Sequence, residues 1–78
     1  MTYIPGTMTL AEISKGTERI IKKLDGDEVL VARLRELGFI RGESVRVVGR
    51  APFGEPILVE IHGATIALRK GEALCVHL

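Results

Sequence analysis

Three residues of this chain could do metal chemistry: one cysteine and two histidines. Cys75 and His77 stand two apart near the C-terminus, and a strand there would point both outward on one face. His62 also points outward if Ile57, Val59 and Ile61 point inward. A thiolate with two imidazoles suits zinc or iron. Against that reading, the sequence has no Cys-x-x-Cys pair, no helical Glu-x-x-His and no obvious fourth ligand. The plainer reading requires no cofactor. Surface His and Cys side chains would then collect zinc or iron adventitiously, at a contact between molecules. Catalysis has less support. Ser14 and Ser44 fall at turns without a neighbouring His and carboxylate. Gly38 and Gly42 flank no Lys-Ser pair of a phosphate loop. The chain reads as a non-enzyme.

Binding is better represented. Phe53 sits in a Pro52-Phe53-Gly54-Glu55-Pro56 segment, where an apolar ring at a loop tip is unexpected. It is either an anchor for a partner protein or a lid folded back onto Ala51 or Ile57. The two prolines stiffen the loop and lower the entropy lost on docking. A second group, Arg41, Arg46, Arg50, Arg69 and Lys70, resembles a basic stripe for RNA. Glu43, Glu55, Glu60 and Glu72 intersperse it, and the three aromatics form no stacking array. These charges read as a solvated face, with no nucleic acid as partner.

Composition sets the outer bounds. At 78 residues there is room for one domain, residues 1–78, with a single core. The apolar fraction of 46% and charged fraction of 27% are those of a globular protein. A formal net charge of +1 gives no strong field towards nucleic acid or membrane surface. A single cysteine cannot form an internal disulfide, which fits a reducing cytoplasm. No apolar run reaches the ~20 residues of a membrane helix, and MTYIPGTMTL lacks a signal-peptide pattern. The expectation is a cytoplasmic protein without direct membrane insertion, in which a weak homo-oligomer is allowed.

The elements that position these residues follow from punctuation and period. Residues 1–8 read as a loosely held lead-in. Thr9 to Ile13 reads as one helical turn, with Thr9 and Glu12 spaced as a capping box, and Gly16 ends it. Glu18 to Leu24 reads as a first strand, with Ile20 and Leu24 inward. Residues 27–37 read as a helix whose Leu30, Leu34 and Leu37 face the core. Gly38 supplies its left-handed stop, and Phe39 folds back. After Gly42 the period becomes two, with Val45 and Val47 inward and a break at Val48-Gly49 that predicts a bulge. The prolines of 52–56 exclude that stretch from a sheet and make it a loop between antiparallel strands. Ile57, Val59 and Ile61 alternate inward. A tight turn at His62-Gly63-Ala64 leads into Thr65 to Arg69, with Ile66 and Leu68 inward. Lys70 to Ala73 forms a helical turn, and Leu74, Val76 and Leu78 close the sheet. Five short strands with added helices predict a mainly β fold, a small closed barrel without free edges.

The unbroken order LGFIRGESVRVVGRAPFGEPILVEI from Leu37 to Ile61, followed by IALRKGEA from Ile66 to Ala73, resembles the FeoA family of ferrous-iron transport accessory proteins. The resemblance runs from Thr9 to the C-terminus. It implies a five-stranded SH3-like barrel with helices at its side. It also implies a partner: a ferrous iron transporter with a cytoplasmic GTPase domain (FeoB-like). The role expected is that of a cytoplasmic accessory or regulatory protein docking on that domain. The candidate docking residues are Phe53, Pro52 and Gly54, with Arg33 on the helix and Leu37, Gly38, Phe39 and Arg41 at its end. Two rival readings stand beside it. One is a regulatory module acting in trans on an iron-dependent transcriptional repressor, whose C-terminal domain the barrel also resembles. The other is a small metal chaperone using Cys75, His77 and His62.

Overall fold

Glycines and prolines cut this chain into short pieces, and non-local pairing decides how the pieces sit. A computed structural model describes residues 8–78. Its elements are β1 (Glu18–Ile20), β2 (Lys23–Leu24), α1 (Glu28–Glu36), β3 (Ser44–Arg50), β4 (Ile57–Ile61), β5 (Ala64–Leu68), α2 (Lys70–Ala73) and β6 (Val76–His77). A single 3-10 turn, Pro52–Gly54, separates β3 from β4. The expected lead-in of residues 1–8 lies outside the described residues except for Met8. The Met8 carbonyl accepts from the Leu78 N–H at 2.7 Å, so that residue is held. Thr9 to Ile13 forms a turn rather than a helix, yet its clasp is present. The Glu12 carboxylate accepts from both the Thr9 N–H and the Thr9 hydroxyl, each at 3.0 Å.

Six strands form two sheets, where five strands in one closed barrel were expected. The larger sheet runs β1-β3-β4-β5, and β2 pairs with β6 in the smaller, all neighbours antiparallel. The expected first strand, Glu18 to Leu24, splits at Ile21-Lys22. There the chain leaves one sheet for the other: the Ile21 N–H donates to Glu43 O, and the Lys22 N–H donates to His77 O. That swerve turns Ile21 into the core at 1% exposure and leaves Ile20 outside at 55%. The expectation that Ile20 faces inward is therefore corrected. Leu24 is partly buried against the core.

α1 begins at Asp27, whose side chain accepts from the N–H groups of Val29 and Leu30. It ends in a complete Schellman motif, with Gly38 N–H on Arg35 O and Phe39 N–H on Leu34 O. Gly38 has φ 102, as its role at the helix stop requires. The buried face of α1 is Val31 and Leu34, with Leu30 partly buried. Leu37 lies at the exposed end, so the expected Leu30-Leu34-Leu37 stripe is rotated by about one position. The alternation in β3 and β4 is as read: Val45, Val47, Ile57, Val59 and Ile61 are buried. The register shifts between Val47 and Gly49, where the bulge was expected. His62 and Gly63, both with positive φ, join β4 to β5 as a two-residue hairpin turn. Leu10, Ile13, Ile21, Leu34, Phe39, Leu68, Val76 and Leu78 complete one core between the two sheets and α1.

Candidate functional site

The loop between β3 and β4 is built to hold its tip still. Pro52 opens it, and the Gly54 N–H donates to Ala51 O at 3.0 Å. Its base is closed by the Ala51 N–H on Pro56 O at 3.1 Å. The Glu55 carboxylate reaches across to accept from the Lys70 N–H at 2.6 Å, tying the loop to the start of α2. With both ends pinned, Phe53 takes φ 71 and ψ 8, a conformation that costs a non-glycine residue about 1–2 kcal/mol. Its relative exposure is 104%, as open as a free side chain. The lid reading is thereby corrected: the ring does not fold back on Ala51 or Ile57.

The turn after α1 divides its expected site residues. Arg41 is exposed and Leu37 is partly open. Phe39, expected at the docking surface, has 0% exposure and belongs to the core. The Schellman geometry explains this, since its position just past the stop packs back on the helix. The exposed apolar residue of the turn is Ile40, at 45%. The signal was in the sequence: of two adjacent apolar residues after a glycine stop, the first is drawn inward. Arg33 extends towards α2, with Nη1 3.2 Å from Glu72 Oε2. That carboxylate is almost wholly buried, and its Oε1 caps α2 through the Arg69 N–H at 2.9 Å. Oε2 has no aligned hydrogen bond, so Arg33 acts on it as a neutralising charge, a role that holds α1 to α2.

The metal candidates are not brought together. Cys75 was expected to point outward with His77. It precedes β6, in the turn closed by its own N–H on Glu72 O, so strand alternation does not reach it. Its thiol is buried and donates to Gly71 O at 3.4 Å. His77 is half-buried. His62 stands on the β4–β5 turn, its Nε2 3.4 Å from Glu43 Oε2, beside Gly38. Among the described residues, no three or more His, Cys, Asp or Glu side chains are grouped to hold a metal ion. The basic stripe is likewise dispersed. Arg46 pairs with the directly opposed Glu60 at 2.8 Å, and Arg50 donates to Ile13 O.

The family model for the FeoA domain matches residues 8–78. The chain belongs to the FeoA family. It is 32% identical over 66 residues to an Fe(2+) transport protein A/Fe(2+) transporter FeoB fusion protein of Porphyromonas gingivalis. That stretch is 85% of this chain and only 8% of the fusion protein. Among solved structures, the FeoA of Stenotrophomonas maltophilia complexed with zinc, described as an SH3 domain protein, is similar at 40% identity and TM-score 0.78. The match covers 88% of this chain and 86% of that one. The fold is therefore SH3-like, although its two sheets do not close into one ladder. A manganese-dependent transcriptional repressor shares this fold at TM-score 0.84 and 21% identity, over 97% of this chain and 42% of the repressor. The fusion relative is named for an Fe(2+) transport protein A part and an Fe(2+) transporter FeoB part, and this chain spans only a small part of its length. Among the described residues, no helix is long and apolar enough to cross a membrane.

Proposed function

We propose that this protein is a cytoplasmic, non-catalytic accessory of a ferrous iron uptake system. It docks on the cytoplasmic GTPase domain of a FeoB-like transporter and presents the Phe53 loop to it. The observation that carries the reading is the fully exposed ring of Phe53, held in a strained backbone by a loop pinned at both ends. Strain of this kind persists where the surroundings impose it, and it clusters at functional sites. A ring displayed without freedom to collapse loses little entropy on entering a pocket. The fusion relative supports the choice of partner, because there a FeoA part and a FeoB part share one chain.

The test is Phe53→Ala against the purified cytoplasmic domain of the transporter, read by calorimetry. Binding should weaken by more than about tenfold, about 1.4 kcal/mol. The free protein should melt as before, since a fully exposed ring adds little to the core. Unchanged affinity would move the docking surface away from this loop. A second reading, regulation of a metal-dependent repressor in trans, rests on the shared fold alone. Capture of such a repressor in place of the transporter domain would favour it.

A further inference from the structure

A groove runs between β2 and the end of α1, on a part of the surface that the Phe53 loop does not form. One end, of about 250 Å³, is lined by Lys22, Lys23, Leu24, Arg35, Ile40 and Arg41. Leu24 and Arg35 also line the adjoining end, of about 370 Å³, where Asp25 and Glu28 stand in place of Lys22, Lys23 and Arg41. The cationic end thus carries four basic side chains around two apolar ones. Among the described residues, neither Arg35 nor Arg41 has a carboxylate partner, while Lys23 stands 4.0 Å from Asp25. Ile40 gives the groove an apolar contact that the core does not use.

Charge and shape together select an occupant. Unpaired guanidinium groups favour carboxylates or phosphates, which they bind in two-pronged fashion. Phosphate polymers fit poorly. Asp25 and Glu28 continue the groove with the wrong sign, and no aromatic lines it for a base to stack on. An apolar contact among cations matches a peptide whose apolar side chain is flanked by acids. We propose that this groove receives an acidic segment of the protein partner, with an apolar residue seated on Leu24 and Ile40 and carboxylates on Arg35 and Arg41. This deepens the docking function proposed above and rests on it for the partner being a protein.

The test uses the full chain and a labelled peptide with one central leucine between two runs of glutamate. Its counterpart has glutamine at every glutamate, and a single-stranded RNA of equal charge serves as the rival. The glutamate peptide should bind at least about tenfold tighter than the glutamine peptide, and should weaken as salt is raised. Arg35→Glu with Arg41→Glu should weaken it at least about tenfold more, with Arg35→Gln and Arg41→Gln as the milder pair should the first not fold. Equal binding of the two peptides, or binding unchanged in both variant pairs, would overturn the assignment. RNA bound more tightly than the peptide through the same arginines would reassign the groove to nucleic acid. The transporter domain separates the two proposals. If it binds the wild type and the charge-reversed protein equally, the groove assignment fails and the docking function stands. If it binds neither while the acidic peptide binds, the docking function fails and the groove keeps its ligand class.

Discussion

At the residue scale, Gly38 is a position where two independent constraints meet. Its φ of 102 lies in the region that L side chains rarely adopt, and an added Cβ would come within 3.1 Å of His62 Cδ2. The backbone strain of such a substitution is of order 1–3 kcal/mol. Gly38→Val should therefore lower the melting temperature clearly, and an unchanged melt would show that the turn relaxes into another helix stop. Glu12 offers a second residue-level test. Its carboxyl is held below the ordinary value, first by the Thr9 N–H, then by the Thr9 hydroxyl, with a smaller contribution from the charge of His77. A depressed folded value means that the Thr9–Glu12 clasp contributes fully above the unfolded value and is lost as pH falls through the folded one. A side-chain titration followed by NMR should give Glu12 a midpoint below that of glutamate in a free peptide. Glu12→Gln should flatten the acid limb of stability against pH. A midpoint equal to the free peptide's would mean the clasp does not favour the carboxylate in solution.

At the element scale, α1 matters because it carries Arg33 and Arg35 on its outer side while its inner side closes the core. Val31 and Leu34 are the buried residues, three apart and so on one face. Leu34→Ala should cost about 2–5 kcal/mol by denaturant unfolding, since it leaves a cavity in a fully packed site. Leu37→Ala, at the exposed helix end, should cost under about 1 kcal/mol. Similar losses for both would place Leu37 in the core and return the helix face to the Leu30-Leu34-Leu37 stripe. The β3–β4 loop is an element in the same sense. Its tip is free because its base and Glu55 are bound elsewhere, to Ala51-Pro56 and to the first turn of α2.

At the scale of the whole molecule, the fold separates the side chains that metal chemistry would need together. Cys75 is inside, His77 half-buried on β6, and His62 on the β4–β5 turn beside Glu43. The purified protein in metal-free buffer should show little stoichiometric ferrous-iron binding by titration. Tight binding abolished by Cys75→Ser with His77→Ala would instead demand a rearrangement of the α2–β6 turn and support a chaperone role. On the surface of this domain of near-neutral net charge, Phe53 on one loop and Ile40 on another are among the exposed apolar residues.

Local chemistry in the sequence determined where the chain turns and which period each stretch follows. The Gly38 stop, the bulge at Val48-Gly49, the alternation of Ile57, Val59 and Ile61, and the exposed proline loop all depend on residues within a few positions of one another. So does the one-turn helix at Lys70 to Ala73. The order of these signals also carried the family, and with it the SH3-like class. Tertiary structure decided phase and direction wherever adjacent residues were equally apolar. Ile21 rather than Ile20 faces inward because the chain swerves there between Glu43 and His77, partners that lie about twenty and more than fifty residues away. Cys75 turns inward because it belongs to the turn after α2, one residue before the strand whose alternation would have exposed it. The split into two sheets belongs to the same class: a short strand can pair on either side, and only the packed core selects which hydrogen bonds are made.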